Sequence, residues 1–146
     1  MDFEDFSANQ QLTLVNLIND FTSSIRLADG VATEEELETS VLLKFIDHSS
    51  EILNGVLSLN KEVVGQINTE YIAINKSTIR SECREILRLL PEEELEEFYK
   101  SLLSMAKIIA KSDNNVTAQE AGLVCDYMEE IGYFNRDLIL TFFLDN

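Results

Sequence analysis

The sequence carries one short acidic motif twice: residues 29–36 read D-G-V-A-T-E-E-E, and residues 113–120 read D-N-N-V-T-A-Q-E. In each copy a Thr follows the Asp by four positions, and a Glu follows the Thr by three. Each copy also lies between two apolar stretches. This repeated spacing predicts a duplicated helix–loop–helix unit, in which an acidic loop joins the two helices of each pair.

Apolar residues recur at intervals of three and four, the period of a helix, along almost the whole chain. The stripe of a first long helix, predicted to end near Gly30, consists of Leu14, Leu17, Ile18, Phe21 and Ile25. The next stripes predict a helix that starts at Thr33, followed by two shorter helices with breaks near Asn60 and Asn75. Further helices are predicted to start at Ser77 or Thr78 and at Pro91. The last two are a helix that ends at Gly132 and a short helix that Asn135 caps. The predicted fold is all-α: one compact domain over residues 1–146, a bundle of about seven helices with two pseudo-repeated helix–acidic loop–helix units.

The composition restricts the possible partners. The chain has 146 residues, 27 of them acidic and 11 basic, and a formal net charge of −16. Such a surface repels nucleic acid and anionic lipid headgroups, and it attracts cations and basic proteins. The first residues lack the features of a signal peptide, and the longest apolar run, 138–144, is too short to span a bilayer. We therefore expect a cytoplasmic protein that does not insert into membranes, with Cys83 and Cys125 as reduced, buried thiols.

Helix capping gives the simplest explanation of the repeated motif. Thr33 and Glu36 have the spacing of a capping box, as do Thr117 and Glu120. In that arrangement the Thr hydroxyl and the Glu carboxylate each accept a hydrogen bond from a backbone N–H at the start of a helix. The repeat then requires only two capped helical hairpins.

A divalent-cation site is the functional interpretation of the same residues. Ca²⁺ and Mg²⁺ prefer the carboxylate, carbonyl and amide oxygens in which both loops are rich. The candidate metal ligands are Asp29 and Glu36 in the first loop and Asp113 and Glu120 in the second. An EF-hand does not fit, because its glycine and its twelfth-position Glu are missing from both loops. Zinc is also disfavoured, since His48 is the only histidine.

The segments L-A-D-G-V-A-T-E-E-E and K-S-D-N-N-V-T-A-Q-E resemble the paired acidic loops of the TerB-like tellurite-resistance family. The resemblance implies a cytoplasmic, all-helical domain with one such loop in each half. It also implies an acidic metal-binding patch, for which calcium is the ion usually proposed, and a role in resistance to tellurite and other chemical stress. Carried over by position, the motif acids are Asp29, Glu36, Asp113 and Glu120. The sequence departs from the family pattern at Asn114, which replaces the glycine of the second loop, and at Ala32, a weak apolar residue.

Three arginines, Arg80, Arg84 and Arg88, recur every four residues and so share one face of a helix. Arginine binds acidic partners and phosphates, but in a chain this negative we expect the three to pair with Glu82, Glu85 and neighbouring acids.

No motif predicts catalysis: the chain lacks a phosphate-binding glycine loop, a nucleophile elbow and the fingerprint of an organic cofactor. The leading hypothesis is a non-catalytic protein that binds a divalent cation through its two acidic loops. The alternative is an acidic protein–protein interaction module that binds a basic partner and whose loops are only capped hairpins. A hydrolase that uses loop carboxylates is a third hypothesis, and it requires a deep polar cleft.

Overall fold

The computed structural model describes residues 1–29, 50–111 and 117–144. Within these ranges there are seven α-helices and no β-strand, so the predicted all-α fold is confirmed. The helices are α1 (Ala8–Asp29), α2 (Glu51–Val63), α3 (Thr69–Ile74), α4 (Lys76–Leu87), α5 (Glu92–Lys111), α6 (Ala118–Glu130) and α7 (Arg136–Leu144). Two short 3-10 helices, Phe3–Asp5 and Val64–Gln66, precede α1 and follow α2.

Helix α1 lies at the centre of the bundle and packs against α2 to α6. Its predicted stripe is confirmed, because Leu14, Leu17, Ile18, Phe21 and Ile25 are each at most 1 % exposed. Burying these side chains stabilises the fold, because each Å² of apolar surface removed from water contributes about 25 cal/mol. The described helical positions of α1 end at Asp29, and the helix predicted from Thr33 lies outside the described residues.

The predicted break near Asn60 is wrong, because α2 continues through it to Val63. Asn60 is 2 % exposed, and its side-chain oxygen accepts a hydrogen bond of 2.8 Å from the Asn19 amide. This partner on α1 satisfies a polar group that would otherwise favour a turn. The chain instead leaves the α-helix at Val64–Gln66, which is 3-10, whereas the predicted break near Asn75 is confirmed.

The other predicted boundaries are close to those observed. Helix α4 begins at Lys76, slightly before the predicted start. Pro91 was predicted as a first helical residue; α5 begins at Glu92, and the Pro91 carbonyl accepts the hydrogen bond from the Leu95 N–H. Gly132 follows α6 with φ of 106°, the left-handed conformation that glycine tolerates best. The pseudo-repeat itself stays a prediction, because its first loop lies outside the described residues.

Candidate functional site

The four predicted metal ligands differ in what the structure describes of them. Glu120 is described in full, as the third residue of α6. The backbone of Asp29 is described as the last residue of α1, without its side chain. Glu36 and Asp113 lie outside the described residues, as do His48 and the Thr33–Glu36 capping box.

The second predicted capping box is confirmed. The Glu120 N–H donates to the Thr117 hydroxyl at 3.1 Å, and the Thr117 N–H donates to Glu120 Oε1 at 2.9 Å. Both hydrogen bonds satisfy backbone N–H groups that have no partner within the helix. Capping therefore accounts for Oε1 of this carboxylate.

Capping does not account for the other oxygen of Glu120. The residue is only 1 % exposed, and Oε2 accepts no hydrogen bond from any described residue. A buried anionic oxygen without a donor is costly, because it has lost its hydration without a replacement. The role of Oε2 is therefore the part of this side chain that the helix cap leaves unexplained.

The direction of the helices follows from contacts between α1, α4 and α6. Arg80 on α4 reaches Asp20 on α1, whereas the Cys83 thiol, further along α4, reaches the carbonyl of Thr13, nearer the start of α1. Helices α1 and α4 are therefore antiparallel. Arg80 also lies over the ring of Tyr127 on α6, and the next turn of α4 contacts Gly132, just past the end of α6. Helices α4 and α6 thus run in the same direction, and α6 is antiparallel to α1.

This antiparallel packing puts the end of α1 and the start of α6 at the same end of the bundle. The Tyr127 hydroxyl donates to Asp20 Oδ2 at 2.6 Å and so marks a level shared by the two helices. Asp29 lies nine residues beyond Asp20, a rise of about 14 Å, and Glu120 lies seven residues before Tyr127, a rise of about 11 Å. The two motif acids are thus displaced from the shared level in the same direction and by similar distances.

Within the described part of the chain, no group of three or more His, Cys, Asp or Glu side chains has an arrangement that could hold a metal ion. A site at this end of the bundle would therefore need side chains that the structure does not describe, in addition to Glu120. Asp29, Glu36 and Asp113 are the residues that the sequence motif offers for it.

A buried charged network in the centre of the bundle was not predicted from the sequence. Asp20 is 1 % exposed and accepts hydrogen bonds from Arg80 Nε at 2.8 Å and from the Tyr127 hydroxyl at 2.6 Å. Arg80 also donates to Glu130 at 3.1 Å, and its guanidinium carbon lies 4.2 Å from the centre of the Tyr127 ring. Burial, followed by the negative charge of Asp20, raises the pKa of Tyr127 well above its ordinary value. The only sequence signal was an aspartate between Leu17 and Phe21 on the apolar stripe of α1.

The expected pairing of the arginine stripe with acids is confirmed for Arg88, which binds Glu85 at 2.9 Å. Arg80 also pairs with acids, but its partners are Asp20 and Glu130 on other helices rather than Glu82 or Glu85. Arg84 has no ion pair with a described residue, and its guanidinium carbon lies 5.2 Å from the centre of the Phe134 ring. One spacing thus corresponds to three different environments.

Both cysteines are buried and free, as expected. Burial raises the pKa of each thiol, strongly at Cys83, which is the behaviour of an inert core cysteine rather than a nucleophile.

Comparisons of the chain with protein-family models, with curated proteins and with solved structures gave no match. None of the described helices is long and apolar enough to cross a membrane.

Proposed function

We propose that this chain is a non-catalytic helical protein that binds a divalent cation, Ca²⁺ or Mg²⁺, at the end of the bundle where α1 ends and α6 begins. The ligands would be Asp29, Glu36, Asp113 and Glu120. Carboxylate oxygens are the ligands that these hard cations prefer.

The buried carboxylate of Glu120 is the observation that carries the proposal. Its Oε1 accepts the capping hydrogen bond from Thr117, and its Oε2 is buried without a donor among the described residues. A cation at Oε2 would compensate the lost hydration of this oxygen and leave the cap intact. The antiparallel packing of α1 and α6 supports a shared site, since it brings the backbone of Asp29 to the same end.

Thermal unfolding with and without Ca²⁺ or Mg²⁺, after chelator treatment and at fixed ionic strength, tests the proposal. An ion that binds only the folded state, at a hundredfold excess over its Kd, adds about 2.7 kcal/mol to the free energy of unfolding. We expect a clear rise in Tm for the wild-type protein. No rise with either ion would overturn the cation site and leave the Thr117–Glu120 pair as a helix cap.

Two variants separate a metal ligand from a cap. Glu120→Gln retains an oxygen for the Thr117 N–H but removes the charge, so we expect the cation-induced rise in Tm to disappear without a loss of stability in the metal-free state. Thr117→Ala removes the hydroxyl that caps α6 and costs about 1 kcal/mol, but it should retain the cation-induced rise. Glu93→Gln controls for diffuse attraction, because Glu93 is exposed at the start of α5. A Glu120→Gln protein that responds like the wild type would exclude Glu120 as a ligand.

An acidic interaction module is the second candidate, and the completed capping box favours it. Both hydrogen bonds of that box are those of an ordinary helix cap, which gives Thr117 and Glu120 a role that requires no ligand. Exposed acids at the start of α5, Glu92, Glu93 and Glu97, would then contact a basic partner. On this hypothesis Asp29→Asn combined with Asp113→Asn leaves partner binding unchanged, and added cations do not change the stability.

The resemblance of the two loops to the TerB-like family is the reason to include tellurite and other chemical stress in the proposed role. A tellurite-sensitive bacterium that expresses this chain should survive higher tellurite concentrations than one that expresses Glu120→Gln at an equal level. Equal survival of the two strains would count against a role of the cation site in resistance.

A further inference from the structure

An exposed aromatic ring lies beside an arginine at the opposite end of α6 from the candidate cation site. Phe134 follows α6 and is 66 % exposed. The half-buried side chain of Arg84 on α4 extends to it, with its guanidinium carbon 5.2 Å from the ring centre. We refer to these two residues as the Arg84–Phe134 surface.

Arg84 differs from the other described arginines in its charge partners. Arg80 pairs with Asp20 and Glu130, Arg88 with Glu85, and Arg136 with Asp126 and Glu129. No carboxylate of a described residue lies within ion-pair distance of Arg84. In a chain with 27 acidic and 11 basic side chains, acids are abundant, so an arginine without a carboxylate is a local exception to the surface charge.

The fold holds Arg84 in place by contacts other than ion pairs. Its side chain passes Gly132, where an added Cβ would lie 3.4 Å from Arg84 Cγ. The partial negative charge at the C-terminal end of α6 favours a cation at this position. Arg84 and Arg88 also lie close enough to Tyr99 to act on its hydroxyl, whose pKa burial nevertheless raises to about 12. The guanidinium therefore lies between the C-terminal end of α6 and the ring of Phe134.

The chemistry of the two side chains indicates what they would bind. A guanidinium over an aromatic ring interacts with the ring through its positive charge, and its N–H groups remain suited to bidentate hydrogen bonding with a carboxylate. The exposed ring of Phe134 offers an apolar contact next to that carboxylate. The two together fit one acidic group with a large apolar neighbour.

We propose that the Arg84–Phe134 surface binds a peptide segment of another protein in which an Asp or Glu stands next to a large apolar residue. The carboxylate pairs with Arg84, and the apolar side chain packs against Phe134. Charge favours such a segment over a second copy of this chain, because two copies that each carry a net charge of −16 repel one another, whereas a single carboxylate meets little of that repulsion.

Selection of random peptides displayed on phage against the full chain tests the proposal, with Arg84→Gln as the counter-selection target. We expect the enriched peptides to share an acid next to a large apolar residue. Synthetic versions of them, measured by fluorescence anisotropy, should bind Arg84→Gln and Phe134→Ser roughly tenfold or more weakly than the wild type. Arg84→Lys retains the charge but not the bidentate geometry, so it should show an intermediate loss.

Two matched variants act as controls. Arg136→Gln removes an arginine that is already paired with Asp126 and Glu129, and Ile74→Ser removes an apolar side chain that is 79 % exposed on α3. Both should bind the peptides as the wild type does, and circular dichroism establishes that every variant is folded.

Three results would overturn the proposal: no enrichment over the counter-selection, enriched peptides that lack acids, or equal affinity for the wild type and Arg84→Gln. Sedimentation equilibrium tests the other possible occupant. A dimer of the wild-type chain that Phe134→Ser dissociates would show that a second copy covers this surface, and it would likewise refute the proposal.

Discussion

Replacing Arg80 with leucine tests whether the buried charged network holds α1, α4 and α6 together. Arg80 Nε donates to Asp20 at 2.8 Å, and a further nitrogen of the guanidinium lies 3.4 Å from the other Asp20 oxygen. The side chain of Asp20 is 1 % exposed, so water cannot replace these hydrogen bonds. Arg80→Leu therefore leaves a buried carboxylate without its cation.

The expected cost follows from what remains around Asp20. Removing one partner of a buried ion pair lowers the free energy of unfolding by roughly 3–5 kcal/mol, because the other charge is left uncompensated. The Tyr127 hydroxyl still donates to Asp20 at 2.6 Å, so we expect a value near the lower limit, about 3 kcal/mol. Adding Asp20→Asn removes the unpaired charge but leaves an amide oxygen for Tyr127. The double variant should recover about 2 kcal/mol of the loss.

Urea unfolding followed by far-UV circular dichroism measures these differences. With a slope of about 2 kcal/mol per molar urea, a loss of about 3 kcal/mol lowers the midpoint by about 1.5 M. Arg88→Leu is the matched control, because the Arg88 and Glu85 side chains are 59 % and 65 % exposed, and it should cost less than about 1 kcal/mol. If Arg80→Leu shifts the midpoint no more than Arg88→Leu, or if the double variant is as unstable as Arg80→Leu, the network does not contribute in the way the burial of Asp20 implies.

Two further predictions concern glycine positions and pH. Gly132→Ala should lower the free energy of unfolding by about 1–3 kcal/mol, because φ is 106° and the new Cβ would lie 3.0 Å from the Tyr99 hydroxyl. Gly122→Ala lies within α6, where no atom is near the new Cβ, and should raise the free energy of unfolding by about 0.5–1 kcal/mol. Urea midpoints that shift in the same direction for both variants would contradict this reasoning. The pKa of Cys83 is raised by burial, so the unfolded chain releases a proton above the ordinary value of 9.0 that the folded chain retains, and stability should fall as the pH rises through that value. Urea midpoints measured below and above this pH test that prediction, and a midpoint that does not fall as the pH rises would refute it.

The sequence predicted best those features that depend on residues close together in the chain. The stripe of α1 from Leu14 to Ile25 is buried as expected, because a helical period is set by spacing within a few turns. The Thr117–Glu120 box formed as expected for the same reason, since both of its hydrogen bonds join residues three apart. The prediction of a break near Asn60 was wrong because Asn60 accepts a hydrogen bond from Asn19. Asn19 lies on another helix, so the local sequence pattern did not indicate this hydrogen bond.

At the candidate cation site, too, local features were predicted and features that depend on packing between helices were not. The spacing of the motif predicted that Glu120 would cap a helix, but it did not predict that Oε2 would be buried without a donor. That burial depends on how α6 packs in the bundle, and periodicity does not determine which oxygen of a carboxylate faces the interior. The shared end of α1 and α6 likewise follows from contacts of Asp20, Arg80 and Tyr127, which are far apart in the sequence.

The arginine stripe shows why spacing on one helix is insufficient to assign a role to a charged residue. Arg80, Arg84 and Arg88 are equivalent by sequence, since each follows the previous one by a single turn. Arg80 meets Asp20 because α1 packs against α4 there, and Arg88, just past the end of α4, pairs with its neighbour Glu85 and lies close to Tyr99. Arg84 lies between them, beside the end of α6, and has no ion pair with a described residue. The difference comes from the neighbouring helix at each level. The partial negative charge at a helix end attracts a cation but does not neutralise it. Arg80 and Arg88 are already paired with carboxylates, so on our proposal Arg84 is the arginine of the stripe that binds a carboxylate of another molecule.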